Sequence, residues 1–225
     1  MSTLSTTPSG DPVTRCRLAV LGAGGAGREI AWLAEACLGS DADIFFVVDD
    51  RHVTATSVNG RPVLTFESFR SIDPSVPVVV AIGDPAERER LVTRCVSAGF
   101  SFATLVHPSL RISPYVEIGE GSVICEGCVV TTNSSIGKHV YVNIGSTISH
   151  DCDLADFATL SPGVHIAGWV SIGRGVFFGT GATVRNGSRN RRLQIGESAV
   201  IGAGACVVDD VPARATVVGV PARAR

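Results

Sequence analysis

The chain has 225 residues, 45% hydrophobic and 18% charged, with 19 basic against 21 acidic side chains and a formal net charge of −2. That length supports one large or two modest domains, each with its own core, and the near-neutral balance removes any electrostatic case for nucleic acid or an anionic membrane as partner. No run of about 18 apolar residues reads as a membrane span, no secretory leader pattern is visible, and seven scattered cysteines fit reduced thiols in a cytoplasmic protein.

Residues 1–14, MSTLSTTPSGDPVT, are small and polar and read as a disordered leader. Over 15–104, short apolar runs alternate with helical patterns. RLAVLGAG is a buried strand entering a glycine turn, GREIAWLAEACLG carries apolar residues at helical spacing, and DIFFVVDD is a second strand. VPVVVAIGD is a further strand, followed by a helix with Pro85 near its start and Gly99 at its end. Strands alternating with helices imply a small Rossmann-like α/β unit with a parallel sheet, at under 100 residues half of a full dinucleotide-binding domain. Its first turn spells Gly22-x-Gly24-x-x-Gly27, with Asp49 and Asp50 closing the next strand. By motif alone this is a dinucleotide fingerprint, phosphate at the helix N-terminus and an acidic group on ribose. A turn that only packs helix on strand has the same spelling.

From about Ile112 the pattern changes. An aliphatic or aromatic residue recurs every six positions, Ile112, Ile118, Ile124, Val130 and onward to Phe178 and Val184. No α-helix keeps a six-residue period on one face, whereas a three-sided solenoid does, with one inward residue per side. Small residues stand two before the beat, and glycine follows it at 119, 137, 173 and 179, where it is expected to accept the turn angles. Cys128 and Cys152 fall on the small inward sites, so Cys125-x-x-Cys128 reads as packing and no metal site is expected. The beat breaks after Val184 and resumes at Ile195, five residues late, so 186–192 reads as a loop, and the C-terminal tail leaves the repeat. The second domain, 105–225, is thus an all-β parallel β-helix.

The hexapeptide run and the closing VVGVPAR resemble the left-handed β-helix acyltransferases. Together with VLGAGGAGREIAWLAE, FFVVDD and VVVAIGDPAERERL, nearly the whole chain is similar to the sugar acetyltransferases with a Rossmann-like N-terminal domain. That family includes the bacillosamine-pathway nucleotide-sugar N-acetyltransferase and the sialic acid O-acetyltransferase. The resemblance implies a homotrimer with acetyl-CoA as co-substrate, bound in the cleft between neighbouring coils. It places the family's catalytic histidine on His150, in GSTISHDC, with Asp151 as its acidic partner. The chemistry is consistent: an amine attacking a thioester must shed a proton, and an imidazole held by a carboxylate takes it. The bland alternative for His150 is a polar residue on the outer face of a coil, and whether Asp151 reaches the ring is a geometric question.

Further implications concern both ligands. Where some relatives carry a second histidine, nine residues on, this chain has Thr159, whose hydroxyl is assigned to the acetyl oxygen. Gly168 and Ala203 resemble contacts to the pantetheine arm, and Arg223, with Arg225 beside it, would meet CoA phosphates unless these are merely a solvated tail. Gly24, Gly25 and Gly27 would hold the phosphates of a nucleotide-linked sugar, Asp49 and Asp50 its base or ribose, with Gly83 and Asp84 in the same pocket. The reading is a cytoplasmic, acetyl-CoA-dependent N-acetyltransferase acting on the amino group, at C4, of a nucleotide-linked amino-deoxysugar. Its rivals are O-acetylation of a free sugar such as sialic acid, a non-catalytic nucleotide-binding scaffold, and an NAD-linked oxidoreductase.

Overall fold

In the computed structural model the structure describes residues 16–71 and 75–225, so the leader expected at 1–14 lies outside the described residues. The apolar runs of the first unit form five strands, β1 (Arg17–Leu21), β2 (Asp43–Val48), β3 (Ser57–Val58), β4 (Arg61–Thr65) and β5 (Val78–Val80), in the order β3-β4-β2-β1-β5. All pairings are parallel except the β3–β4 hairpin, which turns at Asn59 and Gly60, both with positive φ. Leu18, Ala19, Val20 and Leu21 are at most 3% exposed because helices cover both sheet faces. Helix α1 (Gly25–Leu38) buries Ile30, Leu33 and Ala34 against Leu18, Val20 and Phe46. On the other face, α2 (Phe66–Arg70) and α3 (Pro85–Ser97) pack Phe66, Phe69, Val92 and Cys95 around Ala19 and Phe45.

Both of these cores run on into the second domain. Val123, Cys125 and Tyr141 join the α1 side, and Phe157 joins the α3 side. The α/β unit is therefore seated on one face of the solenoid rather than tethered to it.

From Leu105 the chain winds as a left-handed β-helix of three sheets, parallel throughout except where the closing strand Arg223–Ala224 pairs antiparallel with Thr216–Val218. Ser135 pairs with Asp153, Tyr141 with Thr159 and Thr147 with His165, one coil every 18 residues. The six-residue beat is the inward position on each side: Ile124, Ile136, Val142, Ile148, Leu154 and Leu160 are at most 3% exposed. The small residues two before it are also interior, and the polar ones knit the coils. Ser134 Oγ donates to Ser149 O at 3.0 Å and accepts from Cys152 N at 3.1 Å; Cys128 and Cys152 Sγ donate to Asn143 O at 3.1 Å and Ala167 O at 3.2 Å.

The glycines after the beat have a different cause from the one the sequence implies. Gly119 and Gly179 are not left-handed; a Cβ on Gly119 would lie 2.5 Å from Gly137 C and one on Gly179 2.5 Å from Ala203 N, so they admit the coil above. The left-handed angles fall three residues after the beat, at Gly121, Gly127 and Gly145, and also at Asn133, Asp151 and Trp169. Beyond Val184 the coil lengthens: Ser171 pairs with Gln194 and Phe177 with Val200, so each partner lies 23 residues on and the 186–192 segment projects from the edge.

Candidate active site

The α/β unit carries a cavity of about 410 Å³ beyond the C-terminal ends of β1 and β2, where the strand order reverses between β1 and β5. Gly22, Gly24, Asp49, His52, Ile82 and Arg94 contribute to its wall. Gly24 is the N-cap of α1 and supplies no side-chain cap, so the amides of the first turn are left for an anion. Asp49 is only 18% exposed and ion-paired with Arg94, whose guanidinium lies 3.7 Å above the Phe66 ring centre. The hydrogen bond from Arg94 holds the Asp49 carboxyl below the usual aspartate range.

Four expected members of this cleft, Gly27, Asp50, Gly83 and Asp84, stand elsewhere. Gly27 is buried, and a Cβ there would lie 1.9 Å from Gly22 O; it is glycine so that α1 can close onto β1. Asp50 is exposed in the short turn Asp50–His52 and does not line the cavity. Gly83 and Asp84 line a different cavity of about 720 Å³, between α3 and the β-helix. Asp84 Oδ1 caps α3 by accepting from Glu87 N at 2.8 Å, which occupies the carboxylate the sequence assigned to the ligand. Gly25 keeps open space around it at the start of α1. His52, Glu87, Leu91 and Arg94 carry no motif in the sequence: His52 comes from the turn after β2 and the other three from α3, and only the fold brings them to one cavity.

The second centre lies on the solenoid edge between the strands Thr147–Ile148 and Asp153–Leu154. His150 follows the inward Ile148 and is half exposed, and Asp151 takes a left-handed φ of 58°. That turn brings Asp151 Oδ2 to 2.7 Å from His150 Nδ1. With Nδ1–H donating to the carboxylate, the Nε2 lone pair is the free one. The coil above completes the seat. Trp169 meets the imidazole edge to face, with ring centres 6.0 Å apart. Gly168 lies beneath the ring: a Cβ there would be 2.6 Å from His150 Cε1 and 2.7 Å from Nε2. Arg192, from the projecting segment, lies 5.6 Å from the Trp169 ring centre and is ion-paired with Asp153. Neither Trp169 nor Arg192 stands out in the sequence, because they reach His150 only through the stacking of successive coils.

Thr159 is a clear correction. It is 3% exposed, on the face that carries the α/β unit, and its hydroxyl donates to Gly83 O at 2.8 Å and accepts from Arg88 Nη2 at 2.9 Å. No hydrogen-bonding capacity is left for an acetyl oxygen. Ala203 is exposed on another edge of the prism, following the strand Val200–Ile201, so one chain does not bring it beside Gly168. Arg223 is exposed and lies 3.6 Å from Asp209.

The model of the PglD N-terminal domain matches residues 17–95. GDP-perosamine N-acetyltransferase from Escherichia coli O157:H7 is 35% identical over 210 residues, covering 91% of this chain and 94% of that protein. Among solved structures, the acetyltransferase domain of PglB from Neisseria gonorrhoeae FA1090, also solved in complex with acetyl coenzyme A, aligns with a TM-score of 0.85 at 38% identity, over 94% of this chain and 100% of that one. A histidine-to-asparagine mutant of perosamine N-acetyltransferase from Caulobacter crescentus, in complex with CoA and GDP-perosamine, aligns with a TM-score of 0.82 at 31% identity, over 92% and 96%. With sequence and fold both shared over nine-tenths of its length, the chain belongs to the family of acetyl-CoA-dependent nucleotide-aminosugar N-acetyltransferases with a PglD N-terminal domain.

Proposed function

We propose that this chain acetylates the C4 amine of a GDP-linked amino-deoxysugar, with His150 as general base and Asp151 as its orienting partner. The observation that carries the reading is the 2.7 Å contact between His150 Nδ1 and Asp151 Oδ2, which leaves the Nε2 lone pair unused on a half-exposed ring. The amine nitrogen attacks the thioester carbonyl, a C–N bond forms, and Nε2 takes the ammonium proton. The C–S bond then breaks and the imidazolium returns that proton to the departing CoA sulfur. Asp151 holds the tautomer and stabilises the transient cation. No enzyme nucleophile is needed.

The nucleotide occupies the cleft of about 410 Å³, its phosphates toward Gly24 and Gly25 at the start of α1 and its base or ribose toward Asp49. GDP is favoured over other nucleotides because the E. coli relative that matches over 210 residues is a GDP-perosamine N-acetyltransferase. The substitution of a histidine in the C. crescentus complex supports a histidine in the chemistry. The active form is a cytoplasmic homotrimer, in which a neighbouring subunit covers the open edge at His150. Acetyl-CoA lies along that edge, with Gly168 beneath His150, Ala203 on an adjoining edge and Arg223 toward the CoA phosphates.

The test is a product assay. The chain and acetyl-CoA are incubated with GDP-, UDP- and dTDP-linked 4-amino-4,6-dideoxysugars and, separately, with free sialic acid, and the products are weighed by mass spectrometry. One added acetyl group on the GDP sugar, lost in His150→Ala at unchanged oligomeric state, is expected. Acetylation that survives His150→Ala removes His150 as the base; acetylation of a free sugar alone, as an ester, replaces this function with the O-acetyl reading.

A further inference from the structure

Arg88 lies on α3, away from both centres, yet it is 2% exposed. Its guanidinium has no ion-pair partner among the described residues. Instead it reaches six oxygens across two domains. Nη1 donates to Ile82 O at 2.7 Å and Gly83 O at 3.1 Å, in the loop after β5. Nε donates to His139 O at 2.9 Å, and Nη2 to Phe157 O at 2.6 Å, Ala158 O at 3.2 Å and Thr159 Oγ1 at 2.9 Å, all on the β-helix. Thr159 Oγ1 closes the circuit by donating to Gly83 O at 2.8 Å.

An interface that needed only stability would bury apolar side chains, because a desolvated charge without a counter-ion is costly even when hydrogen-bonded. What a planar five-donor fork adds is direction: it fixes the angle between the two sets of carbonyls. On the α/β side, Ile82 lines the nucleotide cavity with Gly83 next to it in the chain, and Glu87, the residue before Arg88, lines that cavity too.

Resting on the function proposed above, we infer that Arg88 is a positioning residue for catalysis: it locks the nucleotide cleft at one angle to the β-helix, acting through Ile82, Gly83 and Thr159, and so sets where the sugar amine meets the base. A cleft that tilts carries the far end of a bound nucleotide sugar with it. A misplacement of about 1 Å at the reacting atoms costs on the order of 100-fold in rate.

The experiment compares Arg88→Met, Arg88→Lys and Thr159→Val with wild type, using the full chain. It measures kcat and KM on the acetylated sugar, GDP affinity by calorimetry, melting temperature and small-angle scattering. In Arg88→Met, kcat is expected to fall on the order of 100-fold while GDP affinity stays within about threefold; Arg88→Lys, which keeps the cation, recovers part of it. A kcat within about threefold of wild type overturns the inference, and so does a joint collapse of kcat, GDP affinity and melting temperature in both Arg88→Met and Thr159→Val, since a merely structural role gives that result. Should Arg88→Met fail to fold, Thr159→Val decides: a reduced kcat at wild-type GDP affinity and melting temperature supports the lock, an unchanged kcat overturns it. Should wild type acetylate none of the sugars, the proposed function fails separately and scattering judges the lock. A broadened distance distribution in Arg88→Met then supports it, and an unchanged one overturns it.

Discussion

Gly168→Ala separates two roles for one glycine. The family resemblance implies that Gly168 contacts the pantetheine arm, whereas the structure puts the His150 ring over the place its Cβ would occupy. Atoms of that ring would lie 2.6, 2.7 and 3.0 Å from the new methyl, against an ordinary contact distance of 3.4 Å or more. The ring must therefore retreat by roughly 0.4–0.8 Å, in a site where about 1 Å of displacement costs on the order of 100-fold. The retreat also strains the 2.7 Å bond to Asp151. The backbone is indifferent, because Gly168 is not among the positive-φ residues, and the half-exposed His150 has open space to swing into. The expected outcome is a kcat reduced roughly 10- to 100-fold, with acetyl-CoA KM and melting temperature close to wild type. Steady-state kinetics with both substrates varied, beside a thermal melt, reads all three. A raised acetyl-CoA KM at unchanged kcat would refute the ring-seat reasoning in favour of the pantetheine contact.

Further outcomes follow from the same geometry. Asp151→Asn keeps the left-handed φ, which asparagine tolerates, but loses the carboxylate proposed to stabilise the imidazolium; kcat should drop about 10- to 100-fold with unchanged melting, and a wild-type kcat would exclude Asp151 from the chemistry. Gly27→Ala drives a methyl to 1.9 Å from Gly22 O, so α1 must lift from β1, with a loss on the order of 1–3 kcal/mol or more by urea denaturation. The Asp49 carboxyl is depressed by folding through Arg94, so its stabilisation is full above the unfolded value of about 3.9 and lost as pH falls through the lower folded value. The stability gap between wild type and Asp49→Asn should accordingly narrow between pH 5 and pH 2; a gap constant across that range would contradict the pairing. Burial pushes the Cys95 and Cys125 thiols up to about 12 and raises Cys128 and Cys152, so a thiol reagent at pH 8 should label the exposed Cys16 quickly and these four only after unfolding.

What was legible in the sequence is what repeats or what needs a rare residue. The inward beat declares itself because each side of the prism admits one large side chain, and Val142, Ile148 and Leu154 fill that place in turn. The glycine fingerprint likewise marks the turn at which the cleft opens. The β3–β4 hairpin is written as plainly, since Asn59-Gly60 is the dipeptide that two positive φ angles in a tight hairpin demand. Other features are invisible without the coil. Neighbouring residues in an extended strand point to opposite sides, so His150 and Asp151 would not be expected to touch. They do so because the left-handed turn at Asp151, one of a series spaced six apart, swings the carboxylate back toward the ring. Thr159 and Gly83 show the converse. Each fits a ligand-binding pattern by spacing, and each is taken up by Arg88, a residue whose surroundings in ERERL give no hint of burial. A polar residue in the right register for a site is available to that site only if no buried group elsewhere needs it. The 2% exposure of Arg88 decides that question here, which is why the junction between the domains, rather than either motif, holds what the sequence could not express.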